Sequence, residues 1–132
     1  MKNYAAVTAL FILAILVSCK KDPSYVYQGP PRSIRFVLFT EKDFANDEHN
    51  ITFSLVIRSH SKVLFDSSLA TMKIKDIPKI ENKLVFDKIV PNDDHTDLAA
   101  GFDYTIENVG SSWFIDTVKS SALSKTITYS FQ

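Results

Sequence analysis

Hydrophobic and polar residues alternate along most of the chain after residue 32. In the segment 50–59, apolar residues occupy every second position from Ile51 to Ile57, and Thr52, Ser54 and Arg58 lie between or beyond them. Successive side chains of a strand point to opposite faces, so a period of two predicts half-buried β-strands. Eight segments rich in β-branched and aromatic residues are predicted strands: 33–40, 50–59, 62–66, 69–77, 83–90, 102–109, 112–118 and 125–131.

The order and length of these segments predict the fold class. Short strands separated by Asn, Asp, Ser and Pro turns are typical of sandwiches and barrels. No segment after residue 32 carries an apolar stripe with a helical period, although 94–102 has room for one helical turn. We therefore predict an all-β domain over residues 33–132: an antiparallel β-sandwich of about seven or eight strands, immunoglobulin-like or transthyretin-like. Segment 33–40 is apolar on both faces, as in a central strand, and 125–131 could lie at a sheet edge.

The N-terminus has the pattern of a secretory signal peptide. Lys2 precedes an apolar run of 13 residues, 5–17, which matches the length of a signal-peptide core. A membrane-spanning helix needs about 20 apolar residues, and the charged residues after Cys19 end the run too early. We expect residues 1–18 to be removed as a signal peptide. A short anchor helix that stays uncleaved is the alternative.

Leu16-Val17-Ser18-Cys19 resembles a bacterial lipobox, with an apolar branched residue, a tolerant position, a small residue and the chain's only cysteine. The resemblance implies that the Cys19 thiol takes a diacylglycerol group and that the lipoprotein signal peptidase recognises Leu16, Val17 and Ser18. The new amino terminus is then usually acylated as well. Because one short acyl chain binds a membrane only marginally, two or three chains make the anchor durable. Membrane lipid is therefore the first expected partner.

The residues after Cys19 resemble a charged export signal. Lys20-Lys21-Asp22 is similar to the signal of Bacteroidetes-type lipoproteins, and the stretch 101–117 resembles the closing hairpin of small sandwich lipoproteins of unknown function in the same bacteria. The first resemblance implies an outer-membrane location, with the surface face slightly favoured over the periplasmic face. An ordinary solvated linker is the alternative. Residues 19–32 contain three of the five prolines and are expected to form a tether.

Charge and cysteine content narrow the function classes. Without residues 1–18, the chain keeps 14 basic and 15 acidic side chains. This balance argues against nucleic-acid binding, which normally shows a basic patch. No cysteine other than Cys19 is available for a disulfide, so stability must come from burial of apolar side chains.

The candidates for metal chemistry are weak. His49, His60 and His95 lie in predicted loops or turns without a neighbouring His or Cys, so we expect no zinc site. Two acidic loops, one with Asp43, Asp47 and Glu48 and one with Asp93, Asp94 and Asp97, carry oxygen ligands that calcium prefers. Neither matches the EF-hand spacing, and Asp and Asn also favour turns. We predict no metal and no cofactor, with calcium binding left open.

Catalytic patterns are also missing. No serine lies in a Gly-x-Ser-x-Gly elbow, and the glycines are too few for a phosphate-binding loop. Trp113, next to Phe114 and Ile115, is expected to pack in the core or between sheets. The alternative is an aromatic platform of Trp113 with Tyr104 or Tyr129 for a sugar ring, which the alternation of the two tyrosines with Phe and Ile disfavours.

These patterns predict a non-catalytic, lipid-anchored outer-membrane lipoprotein that acts as a binding or accessory module, with an envelope protein or a glycan as partner. One alternative is a structural or adhesion subunit that assembles through an exposed strand edge. The other is a small envelope hydrolase, which would need a pair of carboxylates in a cleft.

Overall fold

The computed structural model describes residues 29–60, 62–92 and 96–132. Eight strands form the domain: β1 (Gly29–Thr40), β2 (Asn50–Ser59), β3 (Lys62–Ser68), β4 (Met72–Lys73), β5 (Leu84–Asn92), β6 (Leu98–Ile106), β7 (Gly110–Val118) and β8 (Ser124–Phe131). Two short 3-10 helices, Ile74–Asp76 and Ile80–Asn82, connect β4 to β5. The predicted signal peptide, the predicted lipobox with Cys19 and the predicted export signal Lys20–Asp22 lie outside the described residues.

The strands form two packed sheets, which confirms the predicted all-β sandwich. One sheet has the order β5-β1-β8, and the other has the order β3-β2-β6-β7 with β4 also paired to β2. β1 is central, as its two apolar faces predict, and β8 lies at an edge. The β1–β8 pairing is parallel, whereas all other pairings are antiparallel in the described residues. The finer likeness to immunoglobulin-like or transthyretin-like domains stays a prediction.

Aromatic side chains join the two sheets. Phe36 of β1 meets Phe102 of β6 edge-on, with ring centroids 5.6 Å apart and an interplanar angle of 84°. Phe131 of β8 meets Phe53 of β2 in the same way at 5.9 Å. Edge-to-face pairs of this kind add about 0.5–1.5 kcal/mol to the free energy gained from burial alone. The phenylalanines thus supply the stability that a chain without disulfides needs.

Tyr104 and Tyr129 lie on the inner faces, as their alternation with Phe and Ile predicts. Tyr129 stacks on Phe114 at 4.9 Å between centroids and on Tyr104 at 6.0 Å. Partial burial, together with the hydrogen bond to Tyr104, raises the pKa of Tyr129 above its usual value. The Tyr129 hydroxyl therefore stays neutral at physiological pH, and the stacked rings pack between β6, β7 and β8.

Several element bounds differ from the predicted ones, and three of the differences are large or bear on the site. β1 begins at Gly29, so four residues assigned to the tether belong to the domain, and Arg32 is fully buried there with its Nη1 donating to the Thr96 carbonyl at 2.9 Å. β6 begins at Leu98, so the stretch considered for a helical turn ends in a strand. β5 runs through Pro91 to Asn92.

The predicted strand 69–77 is mostly irregular. Only Met72–Lys73 pairs with β2, and a 3-10 turn follows over Ile74–Asp76. Ile74 and Ile77 are both buried and lie on one face of the chain, because residues three apart share a face in a 3-10 turn, whereas in a strand they point to opposite faces. Within the described ranges, no helix is both long and apolar enough to cross a membrane.

Candidate functional site

Trp113 lies on the outer face of the five-stranded sheet. The expectation that it packs in the core is wrong, because its side chain is 73% exposed. In β7 the inward positions belong to Phe114, which packs against the core, and to the buried Val118. Trp113 and Ile115 occupy the alternate positions, which point away from the other sheet. A large exposed aromatic residue on a strand has no role in the sandwich core.

An ion pair lies beside Trp113. Asp103 of β6 is the direct cross-strand partner of Trp113, and its Oδ2 accepts a hydrogen bond from Arg58 Nη2 of β2 at 2.7 Å. The two charged side chains are 41% and 35% exposed, so the pair is held against the sheet surface while staying accessible to solvent. Together, the two residues present hydrogen-bond donors and an acceptor on the same face of the sheet as the indole ring.

An open groove of about 680 Å³ connects these side chains. Its lining includes Arg58, Asp103, Thr105, Ser111, Trp113 and Ile115, and we call this surface the Trp113 face. The hydroxyls of Thr105 and Ser111 are 2.8 Å apart across β6 and β7. The polar surface continues over β2 and β3, where the hydroxyls of Ser54 and Ser68 form a hydrogen bond of 2.8 Å.

The Trp113 face has the chemistry of a binding surface. It offers one flat aromatic ring, one charge-balanced ion pair and several hydroxyl groups, all held by strands whose registers fix their spacing. Binding sites typically combine an apolar surface with a few placed polar groups. The residues that line the groove form no nucleophile–base pair in the described structure.

A second open depression of about 770 Å³ lies at the β1–β2 loop and the β6–β7 turn. Its acidic side chains are engaged. Hydrogen bonds from Lys73 and Lys75 lower the pKa of Glu48 to about 2, and hydrogen bonds from the His49 side chain and backbone lower the pKa of Asp47. Carboxylates held ionised in this way are poor proton donors.

The described side chains of the two acidic loops also close turns and bridge strands. Asp43 accepts a hydrogen bond from the Ala45 backbone N–H at 3.0 Å, as in a turn closed by an aspartate. Asp97 accepts from Lys119 Nζ and from the Ser120 N–H, both at 2.8 Å. Among residues 29–60, 62–92 and 96–132, no group of three His, Cys, Asp or Glu side chains could hold a metal ion. Asp93, Asp94 and His95 lie outside the described residues, so the calcium prediction for their loop stays a prediction.

Two histidines lie within the described residues, whereas the N-terminal candidates lie outside them. His49 lies in the β1–β2 loop, where its Nδ1 forms a hydrogen bond with Asp47 Oδ1. His60 lies in the β2–β3 turn with a φ of 50°. Both positions match the predicted loops. Lipidation at Cys19, recognition at Leu16, Val17 and Ser18, and the export signal of Lys20, Lys21 and Asp22 are outside the described residues and remain predictions.

Arg58 and Asp103 were not candidates in the sequence. Each occupies an outward position in the alternation of its strand, where a charged residue is ordinary. Only the register of β2, β6 and β7 brings them together with Trp113. In the sequence, Arg58 and Asp103 are opposite charges at outward positions of two predicted strands. This indicates an ion pair only when the strand order shows that the two strands are neighbours.

Comparison with models of known protein families, with curated proteins and with solved structures finds no match to this chain.

Proposed function

We propose that this protein is a lipid-anchored binding module of the outer membrane, tethered through acylated Cys19 and acting through the Trp113 face. The observation that carries the binding role is the 73% exposure of Trp113 beside the Arg58–Asp103 ion pair. Exposed tryptophan and arginine are enriched at binding surfaces, where they contribute more than other side chains to affinity. The anchor is supported by the lipobox Leu16–Cys19 and the charged residues after it.

The length of the predicted tether fits this role. The domain begins at Gly29, so nine residues separate Cys19 from the first described strand. An extended chain spans at most about 3.3–3.6 Å per residue, so this linker reaches roughly 30–35 Å. A domain held at this distance from lipid can turn the Trp113 face toward a partner in the envelope.

Assembly through a strand edge is the second candidate function. β8 lies at the edge of its sheet. Lys125, however, points inward from β8, and an inward-pointing charge on an edge strand opposes pairing with another chain. This observation favours binding through the Trp113 face. The hydrolase alternative has less support, because the pKa values of Asp47 and Glu48 are lowered rather than raised.

The anchor is tested with the Cys19→Ala variant in the producing cell. We expect the wild-type chain to lose residues 1–18 and to incorporate labelled fatty acid, whereas Cys19→Ala stays uncleaved and unlabelled. Ser121→Ala, an exposed change in the β7–β8 loop, is the matched control and should mature normally. Maturation and labelling of Cys19→Ala would contradict the proposed anchor.

The face of the membrane is tested by protease treatment of intact cells, with a periplasmic protein as control. Loss of residues 33–132 while the control survives supports a surface location and an export role for Lys20, Lys21 and Asp22. Protection until lysis contradicts the surface location and leaves a module that faces the periplasm.

A further inference from the structure

We propose that the Trp113 face binds a neutral glycan. This inference rests on the proposed binding function and names the class of its ligand. A sugar ring presents one face of C–H groups and an edge of hydroxyls, so it needs a flat apolar surface next to hydrogen-bonding groups that both donate and accept.

The indole of Trp113 supplies the flat surface. Its 73% exposure leaves the ring open to stacking, and Ile115, next but one on the same face of β7, adds a smaller apolar contact. Tryptophan combines a large apolar area with few rotatable bonds, so it binds a rigid ring at low entropic cost. Tyr104 is the one other large, partly apolar side chain that lines the groove, so its apolar surface is smaller than the broad hydrophobic centre of a typical protein–protein interface.

The polar side chains of the groove include both hydrogen-bond donors and hydrogen-bond acceptors. Arg58 can only donate, Asp103 can only accept, and the hydroxyls of Thr105 and Ser111 do both. Arg58 and Asp103 already hold each other at 2.7 Å, so their orientations are fixed before a ligand arrives. Because the two charges cancel, the groove favours a ligand with hydroxyl groups over one with net charge.

The polar surface is long enough for more than one sugar ring. In register across four strands, Trp113, Asp103, Ser54 and Ser68 form one row. Neighbouring strands are about 4.8 Å apart, so the row extends over roughly 14 Å. A short stretch of a polysaccharide fits such an open row better than a free monosaccharide, which an enclosed pocket would suit.

Trp113 is the only tryptophan of the chain, so its fluorescence reports this site alone. The purified full chain in mild detergent is titrated with neutral polysaccharides (β-glucan, dextran, xylan and galactomannan) and with acidic polygalacturonate. We expect a saturable change in Trp113 emission with at least one neutral polysaccharide, and a weaker change or none with the acidic one. If no neutral polysaccharide changes the emission or if only the acidic one does, the glycan assignment is overturned.

Variants locate the binding, measured by affinity electrophoresis in gels that contain the polysaccharide. Trp113→Ala should weaken binding at least about tenfold, and Asp103→Asn should weaken it about tenfold. Trp113→Phe keeps an aromatic ring and should retain part of the affinity. Ile89→Ala removes an exposed apolar side chain from β5, in the other sheet, and is the matched control that should bind within about twofold of wild type. Equal binding by Trp113→Ala and wild type would contradict the proposal.

A companion experiment separates the ligand class from the binding function. Isolated envelopes of the producing cell are treated with periodate, which cleaves glycans, or with protease, and binding of wild type is compared with Trp113→Ala. Binding that needs Trp113 and is lost only after periodate supports a glycan. Binding that needs Trp113 but is lost only after protease overturns the glycan while the binding function stands. Binding that does not need Trp113 overturns the role of this face altogether.

Discussion

Lys125 of β8 and Asp116 of β7 form an ion pair across the open side of the sandwich, with Lys125 Nζ 2.7 Å from Asp116 Oδ2. The two strands are the neighbouring edges of different sheets. The same ammonium donates to the Thr117 carbonyl at 2.8 Å, so it occupies a main-chain acceptor of β7 as well. Lysine at an edge strand is a common device against edge-to-edge pairing.

Removal of this charge should promote association. We predict that Lys125→Leu forms concentration-dependent oligomers in sedimentation velocity, whereas the wild type stays monomeric, because the apolar side chain no longer opposes pairing with another edge. Lys42→Leu, an exposed change in the β1–β2 loop, is the matched control. Concentration-dependent oligomers of the wild type would instead support the strand-edge assembly that we rank second.

Gly101 of β6 is required by the close approach of β7. A Cβ added there would lie 1.9 Å from the Phe114 carbonyl oxygen, which is backbone and can move only with the strand. We predict that Gly101→Ala lowers the free energy of unfolding by about 3 kcal/mol, at the upper end of overpacking effects. Urea unfolding followed by circular dichroism checks this value. Thr117→Ala on the exposed face of β7 should be nearly neutral, and an equally stable Gly101→Ala would contradict the β6–β7 register.

Arg32 and Arg35 offer a matched pair on one strand. Arg32 is fully buried and donates to Thr96, whereas Arg35 forms an exposed two-bond pair with Asp87 at 2.8 and 3.0 Å. Arg32→Met removes a buried charged donor and should cost about 2–3 kcal/mol in the free energy of unfolding. Arg35→Met should change stability little, as exposed ion pairs do. Equal effects in urea unfolding would place Arg32 in the tether, as its sequence predicts.

Glu48 should make the stability of the fold depend on pH in the acidic range. Its hydrogen bonds to Lys73 and Lys75 lower its pKa from 4.5 to about 2, so the ionised form is favoured by folding. The stabilisation is therefore present above the unfolded pKa and is lost as the pH falls toward 2. We predict that Glu48→Gln lowers Tm at neutral pH and that its deficit disappears near pH 2. Glu41→Gln, which has no ion pair within the described residues, is the control, and a constant deficit for Glu48→Gln would contradict the assignment.

The alternation of side chains predicts much of this fold. It places Ile51, Phe53 and their neighbours inward, it makes β1 central, and it identifies the strands that carry the core. It does not predict the parallel pairing of β1 with β8, because the period of two is the same for both directions. Nor does it reveal Arg32, whose burial depends on contact with Thr96 on a distant loop.

Trp113 shows why the candidate site was harder to predict than the fold. Residues 112–118 carry apolar side chains on both faces, with Trp113 and Ile115 on one and Phe114 and Val118 on the other. A period of two cannot decide which of two apolar faces is buried. Pairing decides it, because Trp113 faces Asp103 across the strands while Phe114 faces Phe102.

Collisional quenching of Trp113 fluorescence by acrylamide tests the central claim most directly, since the chain has no other tryptophan. The folded protein should show red-shifted emission and quenching nearly as strong as in urea, and Trp113→Phe should abolish the signal. Blue-shifted emission that acrylamide scarcely quenches until the protein unfolds would place Trp113 in the core and contradict the binding face.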